Sequence, residues 1–522
     1  MITWDTIRYV IETIWLINLA LAFWTVFRER RDIASTWAWL LVLSFLPVVG
    51  FVAYLFVGRK LSHDQIFTIQ DEQRRILEQY KHQQQRLLEA QKLLPKEEQS
   101  RRDQMMANLL LNTDNALLTF GNQVHLFTDG HAKFDQLIKD IDQAKRHIHV
   151  EYYTFAADQL GHRVLAALER AAERGVEVRV LYDLSGSRGT TYRFFSHLEE
   201  LGGQAQAFIS SAKARFNTPR LNYHLHRKLV IIDGDLGYIG GFNIGDQYLG
   251  ESPKFGYWRD SHLRVEGTAV LMMQARFIMD WNTTCRRTKK ERMDLAGDYV
   301  NVRTTRLKNP DRSMVPMQIV SSGPDNDNRA IRRGYQGIIS SARHYVYIQT
   351  PYLIPDDAIL ESLVVAAKSG IDVRIMIPPM PDHPFVYRAT EYFAHYLVSN
   401  GVKVYKYDKG FLHAKTMVSG GHLASVGSAN LDYRSFRLNF EVNAFTYNEQ
   451  LAGELKAAFE NVHPTERGVL RPAISLAEVQ TGLLPLARPN FVIIKARRTS
   501  CFSWPFVVFA NVRQITCSQP RA

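Results

Sequence analysis

The chain has 522 residues, enough for three or four ordinary domains or for one repeated unit with appendages. Hydrophobic residues make up 46% and charged residues 22%, which excludes wholesale disorder, and three cysteines are too few for a disulfide framework or a cysteine-rich metal site. Half of the net charge of +12 is local, because residues 479–522 carry six Lys or Arg and no acid, and the mild basic bias elsewhere suits anionic lipid or phosphate substrates.

The first 60 residues have the pattern of a membrane anchor. Ser35 to Val57 are 23 residues without a charge, and an earlier stretch at 9–27 is apolar apart from Glu12, Asn18 and small polar residues. About 20 apolar residues span a bilayer, so the pattern predicts a two-helix transmembrane hairpin over residues 1–60, with spans at about 9–27 and 35–57. A cleaved signal peptide is the alternative for the first stretch, but its length and the lack of a small-residue cleavage site disfavour it.

The hairpin predicts a multi-pass protein of the cell membrane. The count of basic residues around the two stretches slightly favours a catalytic body on the cytoplasmic side. Residues 61–119 are rich in Gln, Glu, Lys and Arg, with Leu and Ile at helical spacing, which predicts an amphipathic connector without chemistry of its own.

The body of the chain contains one unit twice. The segment 171–180 recurs at 366–375, each copy a helix that ends at a glycine and is followed by a buried strand. Upstream, 146–151 matches 343–348, and downstream the segments that begin at His226 and His413 match at an offset of 187. Strands that alternate with helices predict two α/β units, at 120–305 and 306–465.

Each unit carries a histidine and a lysine two residues apart on a predicted strand. Such residues project from the same face, so His226 points with Lys228, and His413 with Lys415. A second pair at the same spacing follows in each copy, Gly241 with Asn243 and Ser428 with Asn430. No set of metal ligands accompanies them, and the sequence predicts neither a metal nor a cofactor.

This combination suits a phosphodiester. Lysine and asparagine would hold the nonbridging oxygens while one histidine attacks phosphorus and the other transfers protons to and from the alcohols. One copy supplies only one histidine, which explains why the unit is doubled. Tyr153 and Tyr352 end matched strands and could line the entrance, although core packing is the favoured use, and His224 is expected in the pocket wall.

The pattern H-x-K-x4-D-x6-G-[GS]-x-N resembles the signature of the phospholipase D superfamily, and the similarity covers about 120–465. The paired N-terminal spans, the stretch 46–59 and the stretch 439–445 are similar to the bacterial cardiolipin synthases within it. The resemblance implies two phospholipase D-like α/β sandwich repeats in one pseudo-twofold catalytic body. It also implies phosphatidylglycerol as substrate and cardiolipin and glycerol as products, without metal or nucleotide and without a nucleic-acid partner; the oligomeric state stays open.

Carried over by position, the resemblance implies His226 as the nucleophile and His413 as the general acid and base, although the symmetry of the motifs leaves this assignment reversible. Lys228, Lys415, Asn243 and Asn430 would hold the phosphoryl oxygens, with Ser428 assisting. An acid is expected to orient each histidine, and the candidates are Asp260 in the first copy and Glu441 in the second.

The motif aspartate is Asp233 in the first copy, and it belongs to the candidate catalytic set. The second copy departs from the pattern, with Gly420 at that position. A residue seven after the histidine faces away from the pocket on a regular strand, so we expect a structural role for this aspartate and an active second half-site. The basic tail, 466–522, does not resemble the family.

The same chemistry permits other activities. A phospholipase D-type hydrolase or a transferase to another alcohol would share every step up to the intermediate. A membrane-tethered nuclease is a distant alternative. A nuclease would need a broad basic groove with aromatic platforms, and the basic bias outside the tail is only mild.

Overall fold

A computed structural model describes residues 98–208, 223–288, 291–294, 299 and 314–461, together with parts of the first 88 residues, of which 33–46 and 81–86 are the longest. Most of the predicted span 9–27, part of 35–57 and the tail 466–522 lie outside the described residues. Helix α1 (Ile33–Phe45) has 13 residues, and within the described parts of the chain no helix is long and apolar enough to cross a membrane.

The first repeat is a seven-stranded sheet with helices. Its strands are β1 (Gln123–Phe127), β2 (His147–Tyr152), β3 (Glu177–Tyr182), β4 (Gln204–Ala207), β6 (Lys228–Ile232), β7 (Leu236–Gly240) and β9 (His262–Glu266), with the short β5 (His224–Leu225) and β8 (Tyr257–Arg259) outside the sheet. Helix α2 (Glu98–Asp114) precedes it, and its own helices are α3 (Gly130–Asp142), α4 (Gln159–Glu173), α5 (Ser196–Glu200) and α6 (Ala269–Thr288), with 3-10 turns at Tyr192–Phe195 and Asp246–Leu249.

The second repeat follows the same plan. Its main strands are β10 (Met317–Ser322), β11 (Tyr345–Gln349), β13 (Asp372–Ile377), β14 (Lys403–Lys406), β16 (Thr416–Ser419), β17 (Leu423–Gly427) and β19 (Asn439–Tyr447), with the short β12 (Leu353–Ile354), β15 (Gly410–Leu412) and β18 (Leu431–Asp432). Its helices are α7 (Ala330–Ser341), α8 (Asp357–Lys368), α9 (Pro384–Ser399), α10 (Tyr433–Arg437) and α11 (Glu449–Glu460).

The two sheets have the same topology. The strand order β1-β9-β7-β6-β2-β3-β4 in the first matches β10-β19-β17-β16-β11-β13-β14 in the second. Their registers also agree, since Leu229 pairs with Ile239 in one and Thr416 with Val426 in the other, which is the offset of 187 that the motifs predict.

One predicted match is wrong by one residue. Ile148 lies beside Val178 in the first sheet, and Val346 lies beside Val373 in the second, so β2 and β11 correspond at an offset of 198. The predicted match of 146–151 to 343–348 assumed an offset of 197. The first strand is buried on both faces and the second on nearly all of its length, so no alternation of apolar residues fixes the register in the sequence.

The two sheets face each other across a shared apolar core. Ile231 and Ile239 of the first sheet belong to the same buried cluster as Val426 and Val442 of the second. The opposite face of the first sheet packs on α3 and α4, and that of the second on α7 and α8. Helices α6 and α11 contribute to the same central cluster between the sheets. The central strands are therefore buried on both sides.

Helix α2 packs on the second repeat, although it precedes the first in the chain. Leu110 and Leu111 are fully buried in the second repeat's outer core, and the Gln318 amide donates to the carbonyl oxygens of Ala107 and Ala116 at 3.1 and 2.7 Å. The end of the predicted connector is thus a structural part of the catalytic body.

Candidate active site

Each motif histidine directly follows a short strand that pairs with a strand of the opposite repeat. Strand β5, just before His226, pairs with the start of β19, and β15, just before His413, pairs with β8. The backbone N–H of His226 donates to the carbonyl of Phe440 at 2.9 Å, and that of His413 to Arg259 at 2.7 Å. These reciprocal pairings hold both histidines between the two repeats.

The acids that contact the histidines are exchanged between the repeats. His226 Nδ1 lies 2.9 Å from Glu441 Oε2, and His413 Nδ1 lies 2.7 Å from Asp260 Oδ2. Both carboxylates are fully buried. The sequence analysis above names the same two acids but places each one in the same copy as the histidine that it would orient. In the structure each acid contacts the histidine of the other copy.

Each carboxylate has further donors. Glu441 accepts from the Ser428 hydroxyl at 2.5 Å and from the Asn439 amide at 3.2 Å, and Asp260 accepts from the backbone N–H of Ser261 at 2.7 Å. Position 241, the counterpart of Ser428, is glycine because a Cβ there would lie 2.0 Å from Asp260 Oδ1. Whether this motif position holds Gly or Ser thus depends on how closely the neighbouring carboxylate approaches its Cα.

Burial sets the charge of the histidines. It lowers the pKa of His226 to about 4, against the attraction of Glu441, and it lowers the pKa of His413 to about 4, against that of Asp260. Burial is the largest influence on the two acids and opposes their ionisation. The charges and hydrogen bonds around them together outweigh it, from His226, Lys228 and Ser428 at Glu441 and from Lys415, His413 and Ser261 at Asp260, so both carboxyl pKa values are lowered. At neutral pH each imidazole therefore donates Nδ1–H to a carboxylate and keeps the lone pair on Nε2.

The motif lysines are buried beside the histidines. Lys228 Nζ donates to the backbone carbonyl of His226 at 2.6 Å, and Lys415 Nζ donates to that of His413. Lys415 Nζ also lies 2.7 Å from His413 Nδ1, but that nitrogen gives its proton to Asp260, so the carbonyl is the acceptor for the ammonium. Burial lowers the pKa of Lys228 to about 7 and that of Lys415 to about 8.

Both histidines open onto one cavity of about 650 Å³. Asn243 and Asn430 line it, and Asn243 is fixed by the backbone N–H of Thr154 and by the Tyr248 hydroxyl, both at 3.2 Å. Within the described residues, no group of three or more His, Cys, Asp or Glu is arranged to hold a metal.

Asp233, which the sequence placed in the candidate catalytic set, is not part of the lining of this cavity. It follows β6 at the end opposite to His226, and its carboxylate accepts the backbone N–H groups of Lys145, Arg146 and His147 at 2.7 to 3.2 Å. The motif aspartate therefore fastens the loop between α3 and β2, as the strand parity predicts.

The backbone conformation explains why Gly420 is tolerated at the position of Asp233 in the second copy. Asp233 has φ of +54° and Gly420 has φ of +62°, a left-handed conformation that glycine adopts without strain and aspartate tolerates. Both copies thus keep the same turn. The second copy lacks the carboxylate that fastens the first.

The sequence undervalued several residues of the cavity wall. Tyr153 and Tyr352, for which core packing was favoured, both line the cavity, and His224 lines it as predicted. Tyr248, Trp258, Asp382 and Asp432 line it too and were not predicted, because they come from loops and short strands without a motif. The only signal for them was their position next to the ends of matched strands.

The chain is similar to known proteins over both repeats. Residues 137–258 and 335–463 match the family "Cardiolipin synthase, PLD-like domain", and residues 16–59 match the family "Phospholipase D-nuclease N-terminal". A cardiolipin synthase of Listeria monocytogenes serotype 4b is 48% identical over 87% of this chain and 92% of its own length. One of Staphylococcus aureus strain Mu50 is 48% identical over 85% of this chain and 88% of its own length. The chain belongs to the cardiolipin synthase family.

A solved structure shows the same fold at much lower identity. The phosphatidylserine synthase of Haemophilus influenzae Rd KW20 has a TM-score of 0.52 and 17% identity, and the match covers 69% of this chain and 90% of that one. The membership of the cardiolipin synthase family covers both repeats. The match at 16–59 overlaps the predicted hairpin.

Proposed function

We propose that this enzyme transfers the phosphatidyl group of one phosphatidylglycerol to a second, which forms cardiolipin and releases glycerol. The observation that carries the proposal is that two neutral imidazoles share one cavity, each with its Nδ1 on a carboxylate of the opposite repeat. That arrangement supports a two-step displacement without a metal, because one nitrogen can bond to phosphorus while the other transfers protons.

In the first step, His226 Nε2 attacks phosphorus and the bond from phosphorus to the glycerol oxygen breaks. His413, which takes up one proton at Nε2 from solvent as the anionic substrate binds, gives that proton to the leaving alkoxide. In the second step, His413 accepts the proton of a headgroup hydroxyl on the acceptor lipid. That oxygen bonds to phosphorus, the phosphorus–nitrogen bond breaks, and both histidines return to their starting states.

The remaining motif residues support this scheme by offering hydrogen-bond donors to the phosphoryl oxygens and carboxylates to the charged imidazoles. Lys228 and Lys415 each use one donor on a backbone carbonyl, so their other N–H groups are available to the phosphoryl oxygens, and the Asn243 and Asn430 amides line the same space. Glu441 and Asp260 favour the imidazolium that forms on each histidine in turn. The predicted hairpin at 1–60 would hold the cavity at the bilayer, with the catalytic body on the cytoplasmic side.

Product analysis tests the proposal. The full-length protein in vesicles receives phosphatidylglycerol labelled in the headgroup, and the lipids and released headgroup are separated. We expect cardiolipin and free glycerol in equal amounts. Phosphatidic acid without cardiolipin would mean that water is the acceptor, and the enzyme would then be a phospholipase D-type hydrolase.

A further inference from the structure

One wall of the cavity carries hydroxyl and carboxylate groups that the steps above do not use. Tyr352, Asp382 and Asp432 all line the cavity. The Tyr352 hydroxyl donates to Asp382 Oδ2, and the backbone N–H of His383 donates to Asp382 Oδ1 at 2.7 Å. Asp432 lies beside them, because it pairs with Ile354 where β12 meets β18.

This wall comes from the repeat that carries His413, because Tyr352 directly precedes β12 and Asp432 ends β18. Burial lowers the pKa of Lys415 to about 8, and the negative charges that oppose this shift include those of Asp432 and Asp382. Among the strongest influences on the pKa of Lys228 are the charges of Glu441, Asp260 and Asp183. On the other side, the Tyr153 ring lies 4.9 Å from the His226 ring.

The wall is specific to the second repeat. Leu353 pairs with Leu431 there, and Phe155 with Ile244 in the first repeat, so Tyr352 corresponds to Thr154 and Asp432 to Gly245. The first repeat has no tyrosine or carboxylate at these two positions. Symmetry of the fold therefore does not explain these side chains, of which Asp432 also accepts the backbone N–H of Ser435 through Oδ1 at 2.6 Å.

Two buried polar atoms of the same cavity have no partner among the described residues. They are the Trp258 indole N–H, a donor, and Asn430 Oδ1, an acceptor. Trp258 is 4% exposed, and its ring lies 5.1 Å from that of His413. A buried polar atom without a partner costs free energy, so these atoms point to a ligand with both donors and acceptors.

The geometry of displacement at phosphorus indicates which group should bind at this wall. Attacking and leaving groups lie roughly in line in a displacement at phosphorus, so an attack by His226 sends the leaving group to the His413 side. The acceptor alcohol must enter from that side too, because it gives its proton to the same histidine. We propose that Tyr352, Asp382 and Asp432 form a subsite that binds the hydroxyls of a glycerol headgroup, first on the leaving glycerol and then on the acceptor lipid.

The subsite suits neutral hydroxyls better than an ammonium group. Lys415 already lies within the field of both carboxylates, and Tyr352 donates its proton to one of them, so much of the negative charge is balanced. A vicinal diol can donate to the remaining carboxylate lone pairs and form charge-assisted hydrogen bonds. The inference rests on the proposed transferase function.

A partition experiment isolates the acceptor step. The donor is phosphatidyl-p-nitrophenol, whose leaving group needs neither a proton nor recognition of hydroxyls, and free glycerol competes with water for the intermediate. Release of nitrophenolate reports formation of the intermediate, and the ratio of phosphatidylglycerol to phosphatidic acid reports capture by glycerol. We expect Asp382→Asn and Tyr352→Phe to lower this ratio about tenfold or more and to keep nitrophenolate release, which also shows that the variants fold.

Tyr153→Phe is the matched control, because it removes the same hydroxyl from the His226 side and should keep the wild-type ratio whatever its rate. An unchanged ratio in both Asp382→Asn and Tyr352→Phe would overturn the proposal. So would a wild-type preference for ethanolamine over glycerol that Asp382→Asn abolishes, since the subsite would then bind an ammonium. Failure of the transferase function differs from both, because wild-type protein would then form no cardiolipin from phosphatidylglycerol.

Discussion

His226 and Glu441 are 215 positions apart and belong to different repeats, yet His226 Nδ1 lies 2.9 Å from Glu441 Oε2. The pair of His413 with Asp260 repeats the relationship in the opposite direction at 2.7 Å. Neither repeat holds a complete pair of histidine and acid. The proposed catalytic arrangement therefore exists only when the two repeats are packed together, so it depends on the shared apolar core.

Loss of one acid should impair the histidine of the other repeat. With phosphatidyl-p-nitrophenol as donor, we expect Glu441→Gln to slow the burst of nitrophenolate about a hundredfold or more, because His226 loses the carboxylate that stabilises its charged form. Asp260→Asn should keep the burst and slow the following turnover by a similar factor. Rapid-mixing kinetics separate the two phases, and the reverse pattern would mean that each acid serves the histidine of its own repeat.

Ser428→Ala is the control for that experiment. It removes one hydrogen bond to Glu441 and keeps the carboxylate, so we expect a burst about tenfold slower, intermediate between wild type and Glu441→Gln.

The turn at positions 233 and 420 predicts an effect on stability rather than on catalysis. Asp233→Gly relieves a left-handed residue but removes the acceptor for three backbone N–H groups, so we expect a net loss of about 1–3 kcal/mol in the free energy of unfolding. The specific activity of the folded protein should stay within about twofold of wild type, since the turn lies away from the cavity. Thermal unfolding in detergent, with turnover measured below the transition, checks both statements.

The reciprocal change, Gly420→Asp, tests the same turn in the second repeat. It should leave turnover within a few-fold of wild type, because the motif aspartate has a structural role. A hundredfold rise would show that the carboxylate takes part in catalysis at this position, contrary to our interpretation of both turns.

The sequence predicted the repeat and the placement of each histidine beside its lysine because these depend on local spacing. Residues two apart on a strand share a face, so His226 with Lys228 and His413 with Lys415 follow from the sequence alone. The exchange of Asp260 and Glu441 does not, since it depends on which strand ends meet when two sheets pack. The wall of Tyr352 and Asp382 was also missed, because a loop residue acquires its position only from the folded chain around it.

Arg227 is a further asymmetry, since its counterpart in the second motif is Ala414. Its guanidinium is 1% exposed, donates to Asp280 Oδ2 at 2.6 Å and donates to the backbone carbonyl of Glu441 at 3.2 Å. We expect Arg227→Met to lower the free energy of unfolding by about 3 kcal/mol, because it leaves a buried carboxylate with one partner fewer. Thermal unfolding measures this, with Arg170→Met, which breaks an exposed pair with Asp142, as a control near zero.

The two catalytic histidines should make the protein less stable in mild acid. Their pKa values are about 4 in the folded protein and about 6.5 in the unfolded chain, so the unfolded chain binds protons first as pH falls from 6.5 to 4. The stabilisation is complete above pH 6.5 and decreases through that window, by roughly 2 kcal/mol for each histidine at pH 5. Melting temperatures at pH 7.5, 6 and 5 check this, and His226→Gln with His413→Gln should flatten the dependence.

His413→Gln should trap the covalent intermediate on His226. The p-nitrophenolate leaving group needs no proton, so His226 can still attack phosphorus, but nothing then removes the proton from an acceptor hydroxyl. Protein quenched in alkali, where a phosphorus–nitrogen bond to histidine survives, should carry one phosphatidyl group on the peptide that contains His226. His226→Gln should carry none. A phosphatidyl group on His413 in that second variant would reverse the two roles, and with them the side of the cavity on which the alcohol binds.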